Sequence, residues 1–328
     1  MMLLLSKSDV ESVMPNYDVL VDLLEEAFKR RSGGAVVMPG KAWLTDGQDS
    51  DSRFFSAMTA FDKSGTWGAV CKWNSGSSSN AARGLPYILG IVLLSDGETG
   101  EPLAAIDSTS VTAVRTAAAT GVAARHLAPA GTRTLAMIGC GVQGRTNASA
   151  LPYVLPELKS IRAYDANPEA AGRYSKFVES ELGLECRVCG SSEEAVTEAE
   201  LVVTAAPIEL RPEPLVRPEW LKSRAVVITL DYDSAIDADM VAAAKRVFVD
   251  DIPQMHHLKS HGHFLDIHRD VHELADAILG RLPEGEEDTH QPSLCMLMGI
   301  AAEDLAAARS IYEKAREQGI GVDWNSLA

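Results

Sequence analysis

The chain has 328 residues, 46% apolar and 23% charged, with a formal charge of −16. That length suggests two domains with ample core, and the composition is that of a soluble globular protein. So negative a chain argues against a nucleic-acid partner, because a phosphate backbone needs a basic footprint; cations for an anionic substrate must be gathered locally. The longest apolar run, "YILGIVLL" at 87–94, is too short to span a membrane. The opening "MMLLLSKSDVE" lacks a basic n-region and is no secretory signal. A cytoplasmic protein without a membrane partner is expected. Five cysteines, an odd number, do not make a disulfide framework.

Ser8 and Glu11 form a capping-box pattern for a short first helix, which Pro15 interrupts. From Asn16 to Arg31, the residues Leu20, Leu23, Leu24, Ala27 and Phe28 recur at helical spacing, and Gly33 and Gly34 end the helix. Within 53–107, "RFFSAMTAF", "WGAVCKWN", "LPYILGIVLLSD" and "EPLAAID" read as strands, with "DGETG" as a hairpin turn. No helix intervenes, so these strands are mostly antiparallel. "NSGSSSNAARG" at 74–84 reads as a mobile loop. A helix follows from about Thr109 to His126, and "LAPAGTRT" is a loop. Beyond it, "TLAMIGCG", "SIRAYDAN", "ECRVCG", "ELVVTAAP", "AVVITLDY" and "RVFVDD" read as strands, most of them separated by helices, one over 168–182. That alternation implies a parallel sheet covered on both faces.

Arg115 stands out in "VTAVRTAAATGVAAR". On a helix it shares a face with Val111, Ala118, Ala119 and Val122, so the face reads as buried. A guanidinium cannot shed its charge, and burying it demands an anion. Two sources stay open: a substrate carboxylate, or one of the chain's own carboxylates.

"MIGCGVQG" places Gly139, Gly141 and Gly144 in GxGxxG spacing after a strand and opening a helix, with Val142 and Gln143 in its first turn. Such glycines permit a tight turn and close approach of a pyrophosphate to the helix N-terminus. Asp165, at the end of the next strand, accepts from a ribose 2′-hydroxyl and repels a 2′-phosphate, favouring NAD(H) over NADP. The fold class is therefore α/β: a Rossmann-type doubly wound parallel sheet over 128–300, plus an α+β domain with mostly antiparallel strands. That second domain joins 1–127 to 301–328, whose helix "AAEDLAAARSIYEKAREQG" packs back on it.

"T-x-x-R-T-A-A" at 112–118, "GCGVQG", "GIAAEDLAAA" at 299–308 and "DGETGEPLAAID" together resemble the ornithine cyclodeaminase and mu-crystallin family. The resemblance implies a homodimer, with the discontinuous domain binding substrate and dimerising. It implies that Arg115 holds a substrate carboxylate near a cofactor phosphate. Thr116, Thr204 and Ala205 join the cofactor set, and Lys72 in "AVCKWN" is the active-site lysine. Asp231, ending the strand "AVVITLD", becomes the catalytic aspartate beside the substrate nitrogen. The family holds cyclodeaminases, alanine dehydrogenases and imine reductases, and also a hormone-binding lens protein.

The chain departs from the cyclodeaminases in two places. Their acidic residue for the ornithine side-chain amine falls here at Met58 or Thr59, and their run after the catalytic aspartate is replaced by "YDSAID". Instead Lys41 follows "MPG" and Arg53 begins a strand, resembling basic substrate positions of the dehydrogenase members. Lys41, Arg53, Lys72 and Arg115 are more cations than one carboxylate needs. The expected reaction is NADH-dependent reduction of a dicarboxylic imino acid, iminosuccinate to L-aspartate. A cyclodeaminase with recycled NAD and a crystallin-like binding protein are the alternatives.

The histidines of "MHHLKSHGHFLDIHRDVHE", at 256–272, lack the spacing of a standard zinc site, and no metal is expected. They read as a loop over the site or at a subunit interface, from which His261 or His263 reaches substrate. Cys186 and Cys189 form a CxxC on a strand rather than at a helix start, so a structural role is expected. "PSLCMLMG" lacks the polar residues many relatives carry before the C-terminal helix.

Overall fold

The computed structural model describes residues 2–47, 53–210, 212–282 and 290–324. Contacts divide the chain into two compact units, one of residues 1–115 with 299–328, the other of residues 116–298. The sequence boundary at 127/128 falls where a long helix gives way to a loop; the contacts divide the chain inside that helix.

In the first unit, β1 (Leu3–Leu5) precedes α1 (Lys7–Val13) and α2 (Tyr17–Ser32). The strands β2 (Val36–Val37), β3 (Ala42–Thr45), β4 (Phe54–Asp62), β5 (Ala69–Gly76), β6 (Ile88–Ser95) and β7 (Pro102–Asp107) follow, then α3 (Ser108–Leu127), whose residues through Arg115 belong here. The sheet runs Val322–Asp323, β1, β7, β6, β5, β4, β2, with β3 also on β4. Strands β4 to β7 pair antiparallel, whereas β1 lies parallel to β7. That strand, "LLL", is too short for its period to show in sequence.

Two expectations need correction. The first cap is not Ser8 with Glu11: Ser6 accepts from Asp9 N–H, and the Asp9 side chain returns the bond to Ser6 N–H. Ser8 and Glu11 already lie inside α1, because the chain turns helical directly after β1. The stretch 74–84 is not one loop either; β5 runs on to Gly76 and a 3₁₀ helix spans Ser78–Arg83.

Alternation along β4 and β5 sorts the sheet into two faces. The inner face presents Ser56, Met58, Ala60, Val70, Lys72 and Asn74, all buried. The C-terminal helix, Ala301–Gln318, packs on this sheet and on α2. The outer face carries Leu44, Phe55, Trp73, Ile91 and Leu93, all exposed.

The second unit is a parallel sheet. It contains β8 (Thr134–Ile138), β9 (Ser160–Tyr164), β10 (Glu185–Val188), β11 (Leu201–Thr204), β12 (Val226–Thr229), β13 (Val247–Val249), β14 (His272–Glu273) and β15 (Ser293–Met296). Its helices are α4 (Val142–Ala150), α5 (Pro168–Glu181), α6 (Ser192–Val196), α7 (Ala238–Ala243), α8 (Ile252–Lys259) and α9 (Leu274–Ile278). Strand order is β10-β9-β8-β11-β12-β15-β13-β14, every pairing parallel. The chain winds outward from β8 to β10 and restarts at β11 on the other side, a doubly wound topology whose switch point lies between β8 and β11. Val202, Val203, Val227, Ile228 and Leu294 are wholly buried, the near-continuous apolar runs that such strands require. No helix among the described residues is long and apolar enough to cross a membrane.

Candidate active site

In the first unit, Lys72 sits on the inner face of β5, 1% exposed. Its neighbours across the sheet are Met58 on β4 and Val92 on β6, so no strand partner meets its charge. The counter-ion comes from the C-terminal helix: Lys72 Nζ donates to Asp304 Oδ1 over 2.7 Å. Arg115 reaches the same helix. Its Nη1 donates to Glu303 Oε2 at 2.6 Å, and its Nε lies 3.1 Å from Asp304 Oδ1.

The start of α3 is tied to β5, which aims Arg115 inward. Ser108 Oγ donates to Asn74 Oδ1 at 2.7 Å, and Asn74 Nδ2 donates to Thr112 Oγ1 at 3.3 Å. Gly90 on β6 makes room for that amide, since a Cβ there would stand 2.2 Å from Asn74 Oδ1. Gly299, at φ +76°, lies against the guanidinium; a Cβ would meet Arg115 Nη1 at 2.8 Å. Lys41, just before β3, is buried too and its charge acts on Lys72.

Of the two anions open to Arg115, the structure supplies the chain's own, Glu303 with Asp304. These two carboxylates were quoted in a motif but given no role in the sequence reading. Their signal was two acids on a helix otherwise rich in alanine, a face with no other means of burying charge. Both are wholly buried. Burial raises the Glu303 carboxyl against the pull of Arg115, and Asp304 adds to the rise. Burial, then Arg115 and Lys41 against the opposing pull of Asp304, takes the Lys72 ammonium down to about 8.

Arg53 stands apart from this buried group. Its side chain is 67% exposed and its Nη2 lies 2.7 Å from Asp46 Oδ2. The guanidinium holds the Asp46 carboxyl below the usual range.

In the second unit, the glycine loop lies at the switch point between β8 and β11. Gly139 has φ +97°, and a Cβ would stand 2.5 Å from Ala205 O, so only glycine fits beside β11. A Cβ on Gly144 would meet Gly139 O at 2.3 Å, which packs α4 closely on the loop. Above Gly141, the N-cap of α4, the space within 4 Å is open. No side chain caps α4, whereas Asn167, Ser191, Asp237 and Asp251 cap α5 to α8. First-turn N–H groups left for an anion and room for its approach fit a dinucleotide pyrophosphate. Val142 and Gln143 open this helix, Val142 exposed and Gln143 with a buried Oε1 that has no hydrogen-bond partner. Asp165 Oδ2 accepts from Cys140 N–H at 2.8 Å, which sets its carboxylate against the loop.

Asp231 follows β12 at the carboxyl edge of the sheet and is 1% exposed. Its Oδ1 accepts from Thr204 Oγ1 at 2.8 Å and its Oδ2 from Ala206 N–H at 2.9 Å. Burial pushes its carboxyl up to about 7, although both donors favour the charged form. Thr204 thus directs its hydroxyl at Asp231, and Ala205 presents its carbonyl to Gly139. Tyr232, next in the chain, has φ +61° and is held by the Thr229 hydroxyl, which donates to its carbonyl. Tyr232 packs edge-on to His263, whose Nδ1 lies 3.3 Å from Asp233 Oδ1. His261 sits in the turn after α8, beside His257. Thr116 continues α3 past Arg115 and its carbonyl accepts from Thr120 Oγ1.

Among the described residues, no group of three or more His, Cys, Asp or Glu is placed to hold a metal ion. All five cysteines are free thiols. Burial pushes Cys140 up to about 12 and Cys186 up to about 11, which makes them poor nucleophiles.

Comparison with known proteins adds to this geometry. The model of the Ornithine cyclodeaminase/mu-crystallin family matches residues 1–319. Alanine dehydrogenase of Archaeoglobus fulgidus is 28% identical over 332 residues, covering 97% of each chain. N-((2S)-2-amino-2-carboxyethyl)-L-glutamate dehydrogenase of Staphylococcus aureus is 28% identical, covering 99% of this chain and 98% of that protein. The solved structure of Thermococcus litoralis Delta(1)-pyrroline-2-carboxylate reductase in complex with NADH and L-proline is similar at a TM-score of 0.85. It is 28% identical, over 98% of this chain and 100% of that one.

Proposed function

The chain belongs to the ornithine cyclodeaminase/mu-crystallin family, and from that premise we propose that it reduces a small imino dicarboxylate to the L-amino acid with NADH, iminosuccinate to L-aspartate. The coarser part, an NAD-dependent oxidoreductase acting on a CH–NH2 or imine carbon, rests on relatives matched over nearly their full length and on the dinucleotide-fitting loop. The observation that carries the substrate class is the buried cation pair: Lys72 and Arg115 share one oxygen of Asp304 at 2.7 and 3.1 Å, in a chain of net charge −16. Two cations held side by side favour a carboxylate guest. Met58 opposite Lys72 presents a thioether where a substrate ammonium would need an acid, which disfavours a diamino acid such as ornithine. Arg53 is assigned the second carboxylate.

NADH, when bound over Gly139, Gly141 and Gly144 with its adenosine ribose on Asp165, supplies the hydride for the imine carbon. Arg115 and Lys72 hold and orient the substrate carboxylate, with Arg115 also near a cofactor phosphate and Thr116 and Ala205 lining the cofactor. Lys72 has the acidity of a proton donor near neutral pH, and Asp231 keeps the proton on the substrate nitrogen. The 1–127 and 301–328 segments form the substrate and dimer domain, and residues 128–300 the NAD domain. The exposed row of Leu44, Phe55, Trp73, Ile91 and Leu93 supports a second copy of this chain as the partner, since so apolar a sheet face asks for cover. Free thiols throughout support a cytoplasmic setting.

The test is NADH oxidation by the purified protein, offered oxaloacetate with ammonium, then pyruvate or glyoxylate with ammonium. Turnover with oxaloacetate that requires ammonium and accumulates aspartate is expected. Faster turnover with pyruvate would replace the dicarboxylate by alanine chemistry. Ammonia release from ornithine without net NADH change would make the chain a cyclodeaminase.

A further inference from the structure

Lys72 poses a physical problem that its own strand does not solve. It is enclosed on the inner face of β5 with uncharged cross-strand neighbours, and the charges nearest it include two of its own sign, Arg115 on α3 and Lys41 before β3. Left so, the ammonium would give up its proton and its aim together. Among the described residues, the carboxylates that pair with Lys72 and Arg115 come from the C-terminal helix, Glu303 and Asp304. They are not equivalent. Glu303 bonds Arg115, at 2.6 Å. Asp304 places a single oxygen, Oδ1, 2.7 Å from Lys72 Nζ and 3.1 Å from Arg115 Nε. One carboxylate oxygen therefore bridges two cations that repel each other. The remaining oxygens, Asp304 Oδ2 and Glu303 Oε1, are buried with no hydrogen-bond partner. Such incomplete satisfaction costs stability, and a pair kept only for the fold would be better replaced by apolar residues. Gly299 braces the far side of the guanidinium, where any Cβ would collide.

We propose that Asp304 is a positioning residue, which keeps Lys72 charged and fixed beside Arg115 so that the two cations act as one carboxylate-binding pair. It acts through Lys72 and Arg115 and touches no substrate. Glu303 bonds Arg115 and acts on Lys72 only through space. The idea rests on reading Lys72 and Arg115 as the substrate-carboxylate groups, and its test is built to survive the failure of that reading.

The full-length protein is labelled with [13Cε]lysine, and the Lys72 signal, assigned by its loss in Lys72→Arg, is followed by NMR across pH. Asp304→Asn should lower the Lys72 midpoint by about one pH unit or more, because Arg115 and Lys41 then outweigh Glu303. Glu303→Gln should lower it by less than about half as much, since the lost charge is not in contact. An unchanged midpoint in Asp304→Asn, or an equal shift in Glu303→Gln, overturns the proposal. If Asp304→Asn does not fold, Asp304→Glu keeps the charge and displaces it. The Lys72 midpoint should then hold within about half a unit, while KM for the carboxylate substrate rises about tenfold with little change in kcat. An unchanged KM there would refute positioning. Should no imino acid be turned over, the functional reading falls and the titration of Asp304→Asn still decides this one.

Discussion

The two units bury charge in opposite ways. In the first, Lys72 and Arg115 are neutralised by the carboxylates of Glu303 and Asp304, charge against charge. In the second, Asp231 is enclosed with only neutral donors, the Thr204 hydroxyl and the Ala206 N–H. A full counter-charge offsets part of the burial cost, so Lys72 falls only to about 8 and stays an ion at neutral pH; two dipoles do not repay the loss of water, so the Asp231 carboxyl rises to about 7. The first arrangement suits holding an anion in place. The second suits a group that must gain and lose a proton near neutrality.

Breaking the charged arrangement should have the largest effect. Arg115→Ala removes the partner of Glu303 and one of the two cations beside Asp304, among wholly buried carboxylates. A loss of about 3–5 kcal/mol is expected, along with nearly all turnover. Urea denaturation should show the loss shrinking as pH falls from 8 to 5. An unpaired buried Glu303 takes up a proton in the folded state before the unfolded chain does, so lower pH favours folding. A loss independent of pH would mean that packing, not charge, was removed.

Breaking the neutral arrangement should cost activity and not stability. Asp231→Asn is expected to lower turnover about 100-fold or more. The folded carboxyl binds its proton up to about 7, whereas the unfolded chain releases it near the ordinary 3.8. Between these values the folded state holds more protons, so wild-type stability falls as pH rises and is flat above. The asparagine variant lacks that slope. It should match the wild type near pH 4 and exceed it at pH 8, with Thr204 turning its hydroxyl to accept from the amide. Parallel stability curves for the two proteins would refute the buried-carboxyl argument.

How much of this was legible in sequence follows the same division. The second unit announces itself: the glycines 139, 141 and 144, the strand before them and Asp165 after them are local in the chain, and local spacing is what a sequence displays. The first unit's strands were legible by alternation, and Arg115 by the apolar face it interrupts. Its partner was not, because Arg115 and Glu303 are 188 positions apart, and Lys72 and Asp304 232, and no spacing rule joins either pair. The Asp231 donors were hidden for a related reason. Thr204 was read as a cofactor residue from the family resemblance, and only the pairing of β11 with β12 turns its hydroxyl toward Asp231. Short elements such as β1 and β14 escaped because two or three residues carry no period.

A smaller change sharpens the account of the second unit. Thr204→Val keeps the shape and removes one of the two donors to Asp231. The charged carboxylate loses support, so the midpoint of the pH–rate limb assigned to Asp231 should rise by about half to one unit. Affinity for NADH, measured by fluorescence titration, should hold. A weakened NADH affinity with an unmoved pH limb would return Thr204 to the cofactor and take it away from Asp231.

The smallest effect on the fold is expected at Arg53, a third kind of charge, exposed and paired with Asp46 at the surface. Water screens such a pair, so Arg53→Ala should leave the urea midpoint unchanged. Its effect should be on choice of substrate. If Arg53 receives the second carboxylate, KM for the imine of oxaloacetate should rise about tenfold while that for the imine of pyruvate stays, because only the former loses a charge-assisted bond. Asp46→Asn tests the same point from the other side. It removes the carboxylate that competes for the guanidinium, and should lower KM for the dicarboxylate alone. Equal changes for both substrates would detach Arg53 from recognition, and the buried cations would then account for a monocarboxylate by themselves.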